Sequence, residues 1–138
     1  AVVPGSNDLG DPNDLIASKL NSLPKFVASR TRSTFGWNNT ALVRDVVKEA
    51  VEIKRCFGRE VQVHGSCGLA QKLIENDLVD EYRLLVFPVL LGAGKRLFGS
   101  GTVPRTLKLV RSSTTSTGVV VSVYRPAGKV KTGSFVLE

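Results

Sequence analysis

Apolar and polar positions alternate with two different periods along the chain, and the period separates helices from strands. Apolar residues three and four apart predict helices over 12–20 and 46–57 and a helix that begins near Leu69. Alternation of period two, or a compact β-rich run, predicts strands over 25–29, 41–44, 60–64 and 81–91 and two strands within 106–125. Strands and helices that alternate in this way indicate an α/β protein with parallel pairing and right-handed crossovers.

Single residues set several of the predicted boundaries. Asp11 followed by Pro12 is a typical helix start, and Asp45 is the expected N-cap of the second helix. Pro88 cannot donate to a strand ladder, so the strand over 81–91 should bulge or reach a sheet edge near its end. A turn near 112–117 joins the last two strands.

The stretch over 60–76, EVQVHGSCGLAQKLIEN, predicts a strand, a glycine turn and a helix. The first turn of a helix offers unpaired N–H groups and partial positive charge, and glycines let an anion approach the backbone. Phosphate is the expected ligand. Ser66 is placed either to cap the helix or to donate to the phosphate, and the two roles are compatible. The alternative is an ordinary strand-to-helix turn that binds nothing.

A second cationic stretch, RTRS over 30–33, follows the strand predicted over 25–29. In open α/β sheets, ligands bind at the carboxyl ends of the strands. Guanidinium groups beside hydroxyl groups suit a phosphate monoester, because both donate hydrogen bonds to its oxygens. A solvated basic loop is the alternative interpretation.

Length and composition favour one domain over residues 1–138, since 138 residues with 42% hydrophobic content suffice for one core. No apolar run reaches the ~18 residues that a membrane span requires, and the N-terminus lacks the pattern of a signal peptide. We therefore expect a cytoplasmic protein that does not associate with a membrane.

The cysteine and histidine content excludes several kinds of site. Cys56, Cys67 and His64 are too few for a disulfide framework or a zinc cluster, and His64 lacks an evident orienting acid for a nucleophile triad. Reduced thiols are expected. Cys67 at a helix start either has a lowered pKa or simply fills the turn.

The net charge of +7 is scattered along the chain and forms no basic run. Aromatic residues are not interleaved with the cations, which argues against a nucleic-acid partner. A basic surface also suits a multiply phosphorylated dinucleotide.

Five stretches in order resemble one family: KFVASRT at 25–31, WNNTALV at 37–43, HGSCGLAQKLI at 64–74, LVDEYRLLVFPVLLGAGKRLF at 78–98 and TTSTGVVVSVY at 114–124. They are similar to the dihydrofolate reductase-like reductase domains related to the C-terminal half of the bifunctional riboflavin-biosynthesis deaminase-reductase. The resemblance covers residues 11–125. It implies a mixed, mostly parallel sheet flanked by helices, with NADPH bound across the carboxyl ends of the strands.

The resemblance also implies roles for ten residues. One group lies near the adenosine 2′-phosphate and consists of Ser29, Arg30 and Thr31. A second group faces the pyrophosphate at a helix N-terminus and consists of Gly65, Ser66, Cys67, Gly68 and Leu69. A third group belongs to a glycine loop bordering the active site and consists of Gly92 and Gly94.

The chain departs from the family at its start. Family domains begin with a strand that bears an Asp-Gly motif on the substrate side, followed by a helix and a further cofactor motif. These first strands are lacking here, about 70 residues by the usual domain size. The resemblance therefore leaves the catalytic acid and the physiological substrate unassigned.

Two function hypotheses follow. The first is an NADPH-dependent reductase of a small pterin-like or pyrimidine-like heterocycle. The second is a non-catalytic nucleotide-binding or oligomerising module. A homodimer is expected in either case, because the apolar runs LLVFPVLL and VVVSVY need cover on both faces.

Overall fold

A computed structural model describes residues 15–130. The chain divides into two compact units with a boundary between Leu69 and Ala70, which falls within the third helix. We describe each unit by itself, and the expectation of a single domain stays a prediction. The elements in chain order are α1 (Leu15–Ser22), β1 (Lys25–Ala28), β2 (Thr40–Val43), α2 (Val46–Phe57), α3 (Cys67–Glu75), β3 (Tyr82–Val86), β4 (Leu107–Thr114) and β5 (Val120–Pro126).

In the first unit, β1 and β2 pair in parallel, in a register that runs from Lys25 opposite Thr40 to Ala28 opposite Val43. This confirms the two predicted strands to within a residue. The rings of Phe26 and Phe57 meet edge to face with centroids 5.6 Å apart, so the end of α2 contacts β1.

Helix α2 has the predicted bounds, because both of its ends are fixed by local chemistry. The Asp45 carboxylate accepts a hydrogen bond from the Lys48 amide at 3.2 Å. Glu49 accepts from the amides of Arg44 and Asp45 at 2.8 and 2.9 Å, so the start of the helix is capped twice. Gly58 ends the helix with φ 53°, the left-handed conformation that glycine adopts without strain.

Lys25 joins α1 to β1. Its Nζ donates to the carbonyls of Leu20, Asn21 and Leu23 at 2.8, 3.1 and 2.8 Å and lies 4.9 Å from the Trp37 ring centroid. The partial burial of the ammonium group lowers its pKa. Helix α1 ends two residues beyond its predicted limit, and its predicted start at residues 11–12 lies outside the described residues.

The strand predicted over 60–64 is wrong, since residues 58–66 contain no strand in the structure. Gln62 donates to the Glu60 carboxylate, and His64 Nε2 lies 3.0 Å from the Gln62 side-chain oxygen. Val61 and Val63 are 42% and 47% exposed. The alternation of period two therefore does not indicate a strand here. The alternate polar side chains bind each other, and this stretch has no neighbouring strand among the described residues.

The second unit contains an antiparallel sheet with the strand order β3-β5-β4. Its buried residues include Leu73 and Ile74 of α3, Tyr82 of β3, and Val119 and Val123 on or beside β5. This set forms the core of the unit. The turn between the last two strands lies at 115–119, close to the predicted position, where the Thr115 amide donates to the Val119 carbonyl at 3.0 Å.

The prediction of a buried strand over 81–91 is correct as a strand only in its first half, and within β3 only Tyr82 is buried. Strand β3 ends at Val86, before Pro88, and lies at the edge of its sheet, as the proline predicts. Residues 85–91 are exposed, and Leu90 is fully exposed at 103%. The apolar run therefore continues past the strand as exposed chain, because composition alone does not determine what covers a segment.

The predicted mixed α/β class is confirmed. Among the described strands, one pair is parallel and two pairs are antiparallel, so parallel pairing contributes less than predicted. The difference comes from the missing strand at 60–64, which would have extended the parallel set across α2.

Candidate functional site

The loop after β1 is held by Ser29. Its amide donates to the Val43 carbonyl at 3.3 Å, which extends the parallel ladder by one residue. Its hydroxyl accepts from the Arg32 amide at 3.0 Å and thereby closes a tight turn. Arg30 and Thr31 lie within this turn and are exposed. The turn therefore presents a guanidinium and a hydroxyl to solvent at the carboxyl end of a parallel strand.

Arg44 belongs to the same site, although the sequence analysis did not assign it there. Its Nη1 donates to the Ser29 carbonyl at 2.7 Å. The signal was available, because Arg44 directly follows β2 and the carboxyl ends of neighbouring parallel strands lie side by side. Arg44 fixes the backbone that carries Arg30 and adds a second positive charge near it.

The second predicted stretch lies at the start of α3. Gly65 has φ 135°, a conformation open to glycine but strained for other residues, and a cis peptide joins it to Ser66. Gly65, Ser66 and Gly68 are exposed, whereas Cys67 and Leu69 are half-buried. Helix α3 begins at Cys67, so the positive end of its dipole lies at this turn.

Gly68 is not required by packing. A Cβ atom built on Gly68 would meet no other atom within 4 Å, and its φ lies outside the left-handed region. Close helix–sheet packing is therefore not the reason for this glycine. The Cβ position of Gly68 faces open space, which is compatible with an anion site at a helix N-terminus.

The glycine loop at Gly92 and Gly94 belongs to the second unit. Gly92 has φ 69°, and the amide of Ala93 donates to the Leu91 carbonyl at 2.8 Å, which makes a local turn. No helix follows before β4, and both glycines are exposed. This loop consequently lacks the aligned amides that α3 offers.

The predicted groups at 29–31 and 65–69 both lie in the unit Ala1–Leu69. Each group taken alone supplies donors of the kind that the phosphates of NADPH require, a guanidinium and hydroxyls at 29–31 and helix-terminal amides with a hydroxyl at 65–69. Helix α3 makes no extensive contact with β1 or β2, so the structure does not show the two groups side by side. The residues present fit such a cofactor. Within residues 15–130, no cluster of His, Cys, Asp or Glu is arranged to hold a metal ion, and Cys56 and Cys67 form no disulfide.

Comparison with known proteins decides the family. The model of the RibD C-terminal domain matches residues 17–121. The chain belongs to the RibD C-terminal domain family. This confirms the resemblance to the riboflavin-biosynthesis reductases, and the matched range covers the Ser29 turn, the start of α3 and the glycine loop.

One relative is the uncharacterized protein YyaP of Bacillus subtilis (strain 168), which is 36% identical over 106 residues. The match covers 76% of this chain and 56% of YyaP, so the chain spans little more than half of that relative's length.

Two solved structures share the fold. A protein of Shewanella sp. PV-4, provisionally named as a riboflavin biosynthesis protein, superposes with a TM-score of 0.65 at 19% identity, covering 88% of this chain and 85% of that one. A pyrimidine reductase-like protein of Corynebacterium diphtheriae gives a TM-score of 0.56 at 14% identity, covering 74% and 49%. The chain therefore has the dihydrofolate reductase-like fold of the RibD reductase domains.

No helix among the described residues is both long and apolar enough to cross a membrane. The longest of them, α2, has twelve residues, and its sequence VVKEAVEIKRCF contains five charged side chains. A span of the bilayer core requires about 20 apolar residues.

Proposed function

We propose that this chain is an NADPH-dependent reductase domain that acts on a small pterin-like or pyrimidine-like heterocycle. Membership of the RibD C-terminal domain family supports the reductase class. The observation that carries the cofactor assignment is the start of α3 at Cys67, where Gly65, Ser66 and Gly68 are exposed around the first turn of the helix. The names of the structural neighbours support a heterocyclic substrate of the riboflavin or pyrimidine type.

In this proposal the first unit holds the cofactor by its phosphates. The amides of Cys67, Gly68 and Leu69 bind the pyrophosphate, aided by the positive end of the α3 dipole and by the Ser66 hydroxyl. Arg30, within the turn closed by Ser29 and Arg32, pairs with the 2′-phosphate that distinguishes NADPH from NADH.

When bound, the nicotinamide supplies the hydride that reduces the substrate. The residues of this chain contribute binding and orientation, since fixing the cofactor by two phosphate sites restricts where the nicotinamide ring lies. The resemblance assigns Gly92 and Gly94 to a loop bordering the active site, and this assignment stays a prediction. The catalytic acid is not assigned to a residue of this chain.

The alternative is a nucleotide-binding or oligomerising module without catalysis. It is favoured by one observation, that the two stretches with supporting geometry, the Ser29 turn and the start of α3, suit phosphate groups and not a substrate ring. NADPH binding followed by fluorescence, together with NADPH oxidation followed by absorbance, separates the two. Turnover with dihydrofolate or a pyrimidinone supports the reductase, binding without turnover supports the nucleotide-binding module, and the absence of binding contradicts the reductase.

A homodimer is part of the proposal. Strand β3 lies at the edge of its sheet, and the apolar residues that follow it include Phe87, Val89, Leu90 and Leu91, all of which are exposed. An exposed apolar edge of this kind favours association with a second copy about a two-fold axis. We also propose a cytoplasmic location without a nucleic-acid partner, in keeping with two cysteines that form no disulfide.

A further inference from the structure

A β-bulge in the second unit changes the direction of two cationic side chains. On β4, Lys108 pairs with Arg125 and Arg111 pairs with Val123, two positions apart on β5, so Val110 is the extra residue. In a regular strand, residues three apart lie on opposite faces. Because of the bulge, Lys108 and Arg111 lie on the same face of the sheet.

Strand β3 adds a further cation to this face, since Arg83 also pairs with Val123. Val123 is buried at 3% exposure, whereas the side chains of Arg83 and Arg125 are 48% and 65% exposed. The charged groups therefore reach solvent around a buried centre. We call these four residues the basic face: Arg83, Lys108, Arg111 and Arg125.

One carboxylate already lies on the β3 side of the basic face. Glu81 accepts from Arg83 Nε at 2.8 Å and from Arg125 Nε and Nη2 at 3.2 and 3.1 Å. On the β4 side, neither Lys108 nor Arg111 forms an ion pair with any residue in 15–130. Lys108 also lies directly opposite Arg125, and like charges in that position repel. The face therefore has an excess of positive charge on one side.

We propose that the basic face docks an acidic segment of a partner protein, with a partner carboxylate on the β4 side in the position that Glu81 takes on the β3 side. The same face continues through Leu85 and Val121, which pair with each other, and Leu85 is exposed. Tyr82 and Tyr124 lie on the opposite face by register. A mixed basic and apolar surface without aromatic side chains suits an acidic peptide better than single-stranded nucleic acid.

The test measures fluorescence anisotropy of a short fluorescein-labelled peptide of Glu-Glu-Leu repeats, titrated with the full chain at low ionic strength. Wild type should bind the peptide, and added salt should weaken the binding. The double variant Lys108→Glu with Arg111→Glu should bind about tenfold more weakly or worse. The milder pair Lys108→Gln with Arg111→Gln should give an intermediate loss, and its thermal melt shows whether the sheet still folds.

The control is Lys19→Glu with Lys72→Glu, which changes the net charge equally at two exposed helical positions. It should retain most of the affinity. The proposal is overturned if wild type does not bind the peptide or if the control loses as much affinity as the double variant. Tighter binding of a DNA duplex than of the peptide would also overturn it, because the face would then recognise phosphates.

Discussion

The two glycine stretches of this chain, 65–68 and 92–94, look alike in sequence but are followed by different structures. After Gly68 the sequence LAQKLIE continues as α3, whereas after Gly94 the sequence KRLFGSG forms no helix before β4. Gly99, Gly101 and Pro104 lie in the second continuation and oppose a helix there. A glycine break therefore provides an anion site only where a helix follows and aligns its amides.

The comparison is tested most severely by placing the same side chain in both stretches. Neither Gly68 nor Gly94 has an atom within 4 Å of an added Cβ, and neither has a positive φ, so valine fits both positions in the free protein. Gly68→Val should weaken NADPH binding at least about a hundredfold, because it blocks the amides of the α3 start.

Gly94→Val is the matched control and should retain affinity to within about tenfold. Both variants should melt near the wild-type temperature, since valine and glycine differ by less than about 1 kcal/mol in helix propensity. Calorimetric titration with NADPH and thermal melts measure both quantities. Equal losses of affinity in the two variants would remove the distinction between the stretches.

The Ser29 turn sharpens the comparison, because we propose a second phosphate site there, in the unit that contains the first glycine stretch. Arg30→Ala should lower the affinity for NADPH about ten- to a hundredfold and leave the affinity for NADH nearly unchanged. Titration of the same variant with both cofactors measures the ratio. Lys48→Ala, at an exposed position on α2, is a charge-matched control. An unchanged NADPH to NADH ratio in Arg30→Ala would contradict the assignment.

We expect the apolar run before the second glycine stretch to mediate the association of two copies of the chain. Leu90→Glu places a charge on a fully exposed apolar residue and should shift a dimer toward monomer in light scattering at micromolar concentration. Because Leu90 has no burial to lose, the melting temperature of the monomeric unit should change little. A wild-type chain that is already monomeric would contradict the homodimer.

The smallest expected effect concerns Glu81 in the second unit. Hydrogen bonds from Arg83 and Arg125 lower the pKa of Glu81 below its usual 4.5. A lowered acid pKa contributes stability above the unfolded-state pKa and loses it as the pH falls through the folded-state pKa. Glu81→Gln should therefore melt slightly lower than wild type at neutral pH, and the difference should vanish in acid. A difference that grows toward low pH would contradict this.

The sequence predicts correctly those elements whose ends are fixed by residues nearby in the chain. Asp45 and Gly58 determine both ends of α2 by hydrogen bonding and backbone conformation within a few residues, so its bounds were predictable. The strand at 60–64 and the second half of 81–91 were not. Whether Val61 or Leu90 is covered depends on distant chain or on another molecule, which an apolar pattern does not specify.

The candidate site shows the same difference between residues that local signals predict and residues that only the fold brings together. Ser29 and the start of α3 follow from a strand end and a glycine turn, both local features. Arg44 was missed because its role depends on the parallel register of β1 and β2, which brings residue 44 beside residue 29. Strand pairing depends on residues that are far apart in the chain. Residues that come together through such pairing can be assigned to a site only once the fold is known.

The most direct test of the account is to observe the backbone amides themselves. In a ¹⁵N-labelled chain titrated with NADPH, the amide signals of Cys67, Gly68 and Leu69 should shift most, because they bind the pyrophosphate at the start of α3. The signals of Gly92 and Gly94 should shift less. Saturable NADPH binding that leaves the amides of residues 67–69 unshifted would contradict the central claim.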